Sequence, residues 1–204
     1  MEWLLTCFAA GEAYEEEMSN MVASFQTHHP YVHALTGTFA KGAREWHEIS
    51  NFKMKWLCWI REAYPSPSIL WVDADARFRR AIKLPADSDV AAKCYGAYSR
   101  TETTRISTGT LLLGPKADLE FLRAWRDMPF DDIPSNECTL GKALTLHPSL
   151  RYVELSDALT SVCNLSGWNG KLEHDSAIVH WNRSRKELGA VEDWPPSEEE
   201  RSRV

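Results

Sequence analysis

Residues 68–80 read SILWVDADARFRR, and the apolar run near their start constrains the fold more than any other feature of the chain. Ile69 to Val72 are consecutive apolar residues with β-branched and aromatic members, entered through Pro65 and Pro67. A short continuous run of this kind reads as a strand covered on both faces, the environment of a parallel sheet in an α/β protein. It exits into Asp73-Ala74-Asp75 and then into a basic segment that reads as a loop. Alternation along an extended chain turns Asp73 and Asp75 to one side. At the carboxyl end of a parallel strand, that side is the crevice where open α/β sheets bind ligands. Mg²⁺ is usually held by one or two carboxylates together with substrate phosphates, so the pair points to a metal ion shared with a diphosphate. The same residues would also serve as caps of a turn or helix leaving the strand.

The rest of the chain supplies alternating partners for that strand. Residues 3–9 (WLLTCFA) read as a second buried strand, broken by Gly11. Residues 12–25 follow a helical pattern, with Tyr14, Met18, Met21, Val22 and Phe25 on one face and glutamates crowding the first turns. His28-His29-Pro30 stops this helix, and the two histidines read as surface residues. Residues 31–35 predict a short strand, 36–50 a polar loop, and 51–63 a second helix that runs into the Asp73 strand. Further strands are expected at 90–98, 106–114, 151–155 and 177–181, and helices at 116–128 and 136–147. Residues 130–134 read as an acidic turn and 159–171 as a loop. The alternation implies an α/β fold with a mostly parallel sheet. At 204 residues the chain is expected to form one domain over 1–186, with a polar, Pro-containing tail over 187–204.

A net charge of −6 excludes a generally basic, nucleic-acid-coating surface but leaves room for local basic groups. Arg77, Arg79, Arg80 and Lys83 form one such group, and Lys41, Arg44, Lys53 and Lys55 another. The cysteines, Cys7, Cys58, Cys94, Cys138 and Cys163, are odd in number, widely spaced and without zinc-ligand spacing. Reduced thiols in a cytoplasmic protein are the expectation. No apolar leader opens the chain and no run approaches the length of a membrane span.

Taken in order, these segments resemble the nucleotide-sugar glycosyltransferases of the GT-A fold. The resemblance rests on Phe52-Lys53-Met54-Lys55 opening a helix, on the Pro-bounded strand ending in Asp-x-Asp, and on Ser107-Thr108-Gly109 before an apolar strand and a helix bearing Trp125. The segment from Glu137 to Leu144, Trp168-Asn169, and His180-Trp181 followed by Ser184-Arg185 look like the family's later segments. It implies a three-layer α/β/α sandwich with a Rossmann-like sheet, and transfer of a sugar from a nucleoside-diphosphate sugar, a UDP-sugar foremost, to an acceptor hydroxyl. Asp73 and Asp75 would ligate Mn²⁺ or Mg²⁺, with His180 as third ligand. Thr6, Ala9, Gly11 and Tyr14 would border the nucleotide. Lys53 or Lys55, the Ser107-Thr108-Gly109 segment, Ser184 and Arg185 would face the donor. If the anomeric centre inverts, Asp131, Asp132 or Glu137 would take the acceptor proton.

The acceptor stays open: a glycan, a small molecule, or hydroxymethylated bases in DNA, as for some phage enzymes. In the DNA case the group at Arg77, Arg79, Arg80 and Lys83 would hold phosphates, and Trp46 or Trp168 would stack a flipped base. The strand plus Asp-x-Asp also resembles aspartate-nucleophile phosphatases, which want Thr or Val where Arg77 stands. A non-catalytic nucleotide- or glycan-binding module is the remaining alternative.

Overall fold

The structure is a computed structural model that describes residues 2–39, 46–94, 106–129, 136–162 and 176–180. The elements run β1 (Trp3–Ala10), α1 (Glu12–His28), β2 (Ala34–Phe39), α2 (Trp46–Ala63), β3 (Ser68–Val72), β4 (Ala76–Phe78) and β5 (Val90–Cys94). They continue with β6 (Ile106–Leu113), α3 (Leu119–Arg126), α4 (Asn136–Leu146), β7 (Tyr152–Glu154), β8 (Thr160–Val162) and β9 (Ile178–His180). Six strands form one sheet in the order β2-β1-β3-β6-β5-β7, and β4-β9-β8 form a second, smaller sheet. In the large sheet β6 runs against both neighbours, while every other adjacent pair is parallel. This is a mixed, mostly parallel α/β sheet flanked by helices, as the alternation of segments implied.

The placement of the helices follows from connection geometry. From β1 the chain moves outward to β2, then back past β1 to β3. Right-handed crossovers in opposite directions put α1 and α2 on opposite faces. Accordingly α1 packs on β1 and β4, whereas α2 packs on α3 and α4. Covered on both sides, β1 is buried from Leu4 to Ala10 and β3 from Ile69 to Val72.

Several segments depart from the sequence expectations. The polar stretch expected as a loop over 36–50 contains regular structure at both ends: β2 occupies 34–39 and α2 begins at Trp46. β2 is an edge strand whose side chains are only half buried, so its polar composition is that of an exposed edge. Gly37 within it allows a close approach, because a Cβ there would lie 2.5 Å from the Trp56 ring. The basic segment after Asp75 forms β4, in which Ala76 and Phe78 face inward and Arg77 does not. The third helix starts later than expected, since Asp118 caps it by accepting from the Phe121 amide at 3.0 Å. Thr160–Val162 is a strand within the expected 159–171 loop. Residues 95–98, 163–171 and the tail over 187–204 lie outside the described residues. So does Cys163, while Cys7, Cys58, Cys94 and Cys138 are not in disulfides.

Two polar side chains brace the frame. Arg61, 2% exposed, donates through Nη1 to the carbonyls of Pro67 (2.7 Å), Pro65 (3.3 Å) and Tyr64 (3.5 Å). Through Nη2 it donates to those of Gly114 (2.9 Å) and Leu113 (3.1 Å). Burial pushes the guanidinium down to about 10, with Asp118 pulling the other way, so it stays charged at neutral pH. One residue thereby ties the end of α2, the entry to β3 and the end of β6. His29 corrects the surface reading: its Nε2 accepts from the Ile82 amide at 3.0 Å, and its ring stacks on Phe25 at 5.1 Å.

Arg61→Met is expected to leave buried carbonyls unsatisfied and to lower stability by about 2–4 kcal/mol in urea unfolding, with the native circular dichroism retained. His29 is held below its usual pKa of 6.5, chiefly by burial and secondarily by His28. Its contribution is therefore present above about pH 6.5 and is lost as pH falls toward the lowered folded value. Wild-type melting temperature should fall between pH 7.5 and 5.5, and fall less in His29→Gln, which retains an acceptor but does not titrate.

Candidate functional site

The site grows from one helix position. On α2 the residues Ile49, Lys53, Leu57 and Arg61 recur every fourth place and are all buried. Lys53 is thus placed in the core stripe, 5% exposed, where an ammonium must find acceptors. It finds Asp73 Oδ1 at 2.9 Å, the Thr108 carbonyl at 2.8 Å and Thr108 Oγ1 at 3.1 Å, which occupies all its protons. Thr108 Oγ1 in turn donates to Asn136 Oδ1 at 2.9 Å, on the first turn of α4. Trp71 donates from Nε1 to the same Asp73 oxygen at 2.7 Å, and the Lys53 ammonium lies 4.9 Å from the Trp71 ring. Trp71 is itself fixed against Phe8 at 5.1 Å between centroids.

Asp75 takes a different direction. The chain turns as β3 ends, with the Ala76 amide donating to the Asp73 carbonyl at 3.1 Å. The extended-chain alternation assumed for Asp-x-Asp therefore does not hold. Asp73 faces α2, and Asp75, 7% exposed, faces His180, with Oδ1 at 3.7 Å from Nδ1. Pairing of β4 with β9 sets Ala76 opposite His180 and so delivers the histidine from far along the chain. His180 Nε2 lies 2.6 Å from Thr110 Oγ1, which is also 3.0 Å from Thr160 Oγ1. Gly109 adjoins both halves: a Cβ there would sit 3.4 Å from Asp73 Oδ2 and 3.4 Å from His180 Cε1.

Among the residues named from sequence, Lys53, Asp73, Asp75, Thr108, Gly109 and His180 are thus brought together. Thr6 has no exposed surface, and its hydroxyl is used within the fold, donating to the Leu35 carbonyl and accepting from Trp56 Nε1, both at 2.8 Å. Ala9, Gly11 and Tyr14 flank the carboxyl end of β1, where Gly11 has φ 87° and its amide donates to the Phe39 carbonyl at 3.2 Å. Lys55 is exposed on the far side of α2. Ser107 is half buried with Oγ accepting from the Gly109 amide at 3.4 Å, and Glu137 stands in the first turn of α4. Asp131, Asp132, Trp168, Ser184 and Arg185 lie outside the described residues. The basic group is not a free row of cations: Arg77 is ion-paired with Glu17 of α1, and Arg80 donates to the Ala158 carbonyl at 3.0 Å. Reasoning from sequence missed Trp71, Thr110, Asn136 and Thr160. Thr108 and Thr110, two apart in an otherwise apolar strand, were the available signal.

Among the described residues no three His, Cys, Asp or Glu side chains form a ready metal cage, because Asp73 is drawn toward Lys53. The Asp75–His180 pair nevertheless fits a shared cation. Two ligands each ~2.1 Å from one ion, at 90° or more, lie ~3.0–4.2 Å apart, a range containing their 3.7 Å separation. A cleft of about 540 Å³ lies elsewhere, lined among others by Arg80, Lys83, Leu84, Val153, Ser156 and Leu159. It shares no residue with this group.

No protein-family model matches the chain, and no curated protein does. Among solved structures it is similar to a glycosyltransferase involved in the glycosylation of the major capsid of PBCV-1. That likeness has a TM-score of 0.64 at 18% identity and covers 90% of this chain and 96% of the other. The two chains share a fold. Among the described residues no helix is long and apolar enough to cross a membrane.

The exposures of the ion pair predict unequal costs. The Lys53 side chain is 6% exposed and that of Asp73 is 39% exposed. Asp73→Ala strands a buried ammonium and should cost about 3–5 kcal/mol in urea unfolding. Lys53→Met leaves a carboxylate that still reaches water and Trp71, and should cost less, about 1–3 kcal/mol.

Proposed function

We propose that this chain is a metal-dependent glycosyltransferase that moves a sugar from a nucleoside-diphosphate sugar to an acceptor hydroxyl. The observation that carries this reading is the Asp75–His180 pair, 3.7 Å apart beside the carboxyl end of β3, in a fold shared with a glycosyltransferase. Its position is the one where open α/β sheets bind phosphorylated ligands.

In this reading Asp75 and His180 hold Mn²⁺ or Mg²⁺, which supplies Lewis-acid neutralisation of the charge on the departing nucleoside diphosphate. Asp73 has a separate duty. Lys53 and Trp71 occupy its Oδ1, leaving Oδ2 on the side of Gly109 and His180 to meet the donor. With no side chain at Gly109, no Cβ covers the side of Asp73 Oδ2 and His180 Cε1 that one there would contact at 3.4 Å. The nucleotide lies along the carboxyl end of β1, against Ala9, Gly11 and Tyr14. Glu137, Asp131 and Asp132 remain the carboxylates proposed to take the acceptor proton if the anomeric centre inverts. Lys53 serves the donor only through Asp73, since its protons are already taken. The pairing of Arg77 with Glu17 takes one cation out of the group that would hold DNA phosphates, and a glycan or small-molecule hydroxyl is the proposed acceptor class.

The test is a panel of nucleotide sugars, UDP-glucose and UDP-galactose first, read by release of nucleoside diphosphate with glycan, small-molecule and hydroxymethylated-DNA acceptors. Release should require Mn²⁺ or Mg²⁺ and stop with EDTA. Asp75→Asn should lower kcat/KM by about 100-fold or more while the fold is kept. Release that is indifferent to EDTA and to Asp75→Asn would remove the metal assignment.

A further inference from the structure

We infer that Thr110, backed by Thr160, positions His180 so that Nδ1, and not Nε2, is the nitrogen offered to the cation. The inference rests on the metal-site reading above and deepens it. Thr110, Thr160 and His180 are 3%, 4% and 4% exposed, so their polar atoms must satisfy one another. Thr110 Oγ1 lies 2.6 Å from His180 Nε2, which engages that ring nitrogen on the side away from Asp75. Nδ1 is left facing Asp75 Oδ1 at 3.7 Å and the side of Gly109, where an added Cβ would lie 3.6 Å from it.

The proton count selects one arrangement. A ligating imidazole is neutral and offers a lone pair from one nitrogen, so the other nitrogen carries the hydrogen. With Nδ1 as ligand, Nε2–H donates to Thr110 Oγ1. The Thr110 hydroxyl then sends its own hydrogen to Thr160 Oγ1, 3.0 Å away. The chain His180 Nε2–H to Thr110 to Thr160 fixes both the tautomer and the rotation of the ring. The three residues come from three different strands, β9, β6 and β8, so the large sheet aims a ligand carried by the small one. Neither threonine touches donor or cation: both are positioning residues.

The test compares wild type with Thr110→Val, Thr110→Ser, Thr160→Val and His180→Ala. Mn²⁺ alone is titrated into each protein and followed by loss of the free-ion electron paramagnetic resonance signal. The tautomer of His180 is read from ¹⁵N-histidine spectra of the metal-free protein. Wild type should show protonated Nε2. Thr110→Val, nearly isosteric and checked for folding by thermal melting, should bind Mn²⁺ about 10–100-fold more weakly, whereas Thr110→Ser should stay within about threefold. Thr160→Val should fall between them. Equal binding by wild type and Thr110→Val with loss in His180→Ala would overturn this inference and leave the metal site standing. So would a spectrum showing protonated Nδ1. Absent binding in wild type, or undiminished binding in His180→Ala, would overturn the metal site and this inference with it.

Discussion

A lysine in phase with the core face of a helix has to be answered by a carboxylate, and much of the site follows from that demand. Lys53 sits among Ile49, Leu57 and Arg61 on the buried side of α2. Leaving its ammonium without partners would cost more than the fold can sustain, so Asp73, the Thr108 carbonyl and the Thr108 hydroxyl converge on it. The convergence joins α2, the exit of β3 and the start of β6 at one point. Trp71 strengthens it from within the sheet, by a hydrogen bond to Asp73 and by presenting its ring to the cation. Arg61 performs the matching task two turns further on, where carbonyls rather than a carboxylate receive the charge.

The same demand separates the two aspartates. Asp73 is drawn to one side by Lys53, and the turn that follows sends Asp75 to the other, toward His180. The junction between the two sheets is therefore where the carboxylate pair divides its work. The reversed direction of β6 contributes as well. Running against β3, it brings its early residues, Thr108 to Thr110, beside the exit of β3, with Val72 opposite Thr110.

How far the sequence foretold this can be judged residue by residue. The buried strand at Ile69–Val72, the mostly parallel sheet and the meeting of Asp75 with His180 were legible. The first two come from local apolar patterning, and the third from likeness of segment order. The alternation rule failed at Asp73 and Asp75 because the chain had already left the extended state, which no pattern of two residues can disclose. The second strand was placed too early, at 31–35, and residues 36–39 of β2 were read as loop because its polar members belong to an exposed edge and Gly37 to a close approach by Trp56. The choice between Lys53 and Lys55 was within reach, since only the former keeps step with Ile49 and Leu57. His29 and Arg77 could not be placed from sequence, as their partners, Ile82 and Glu17, lie more than fifty positions away.

The small sheet, with β9 at its centre, has a temporal consequence. On a chain emerging from its amino end, the last strand of the large sheet is complete at Glu154, whereas the partner of Asp75 arrives only with His180. The scaffold can thus close before the centre it carries is assembled. Until the last strand settles between β4 and β8, Asp75 has no His180 to face.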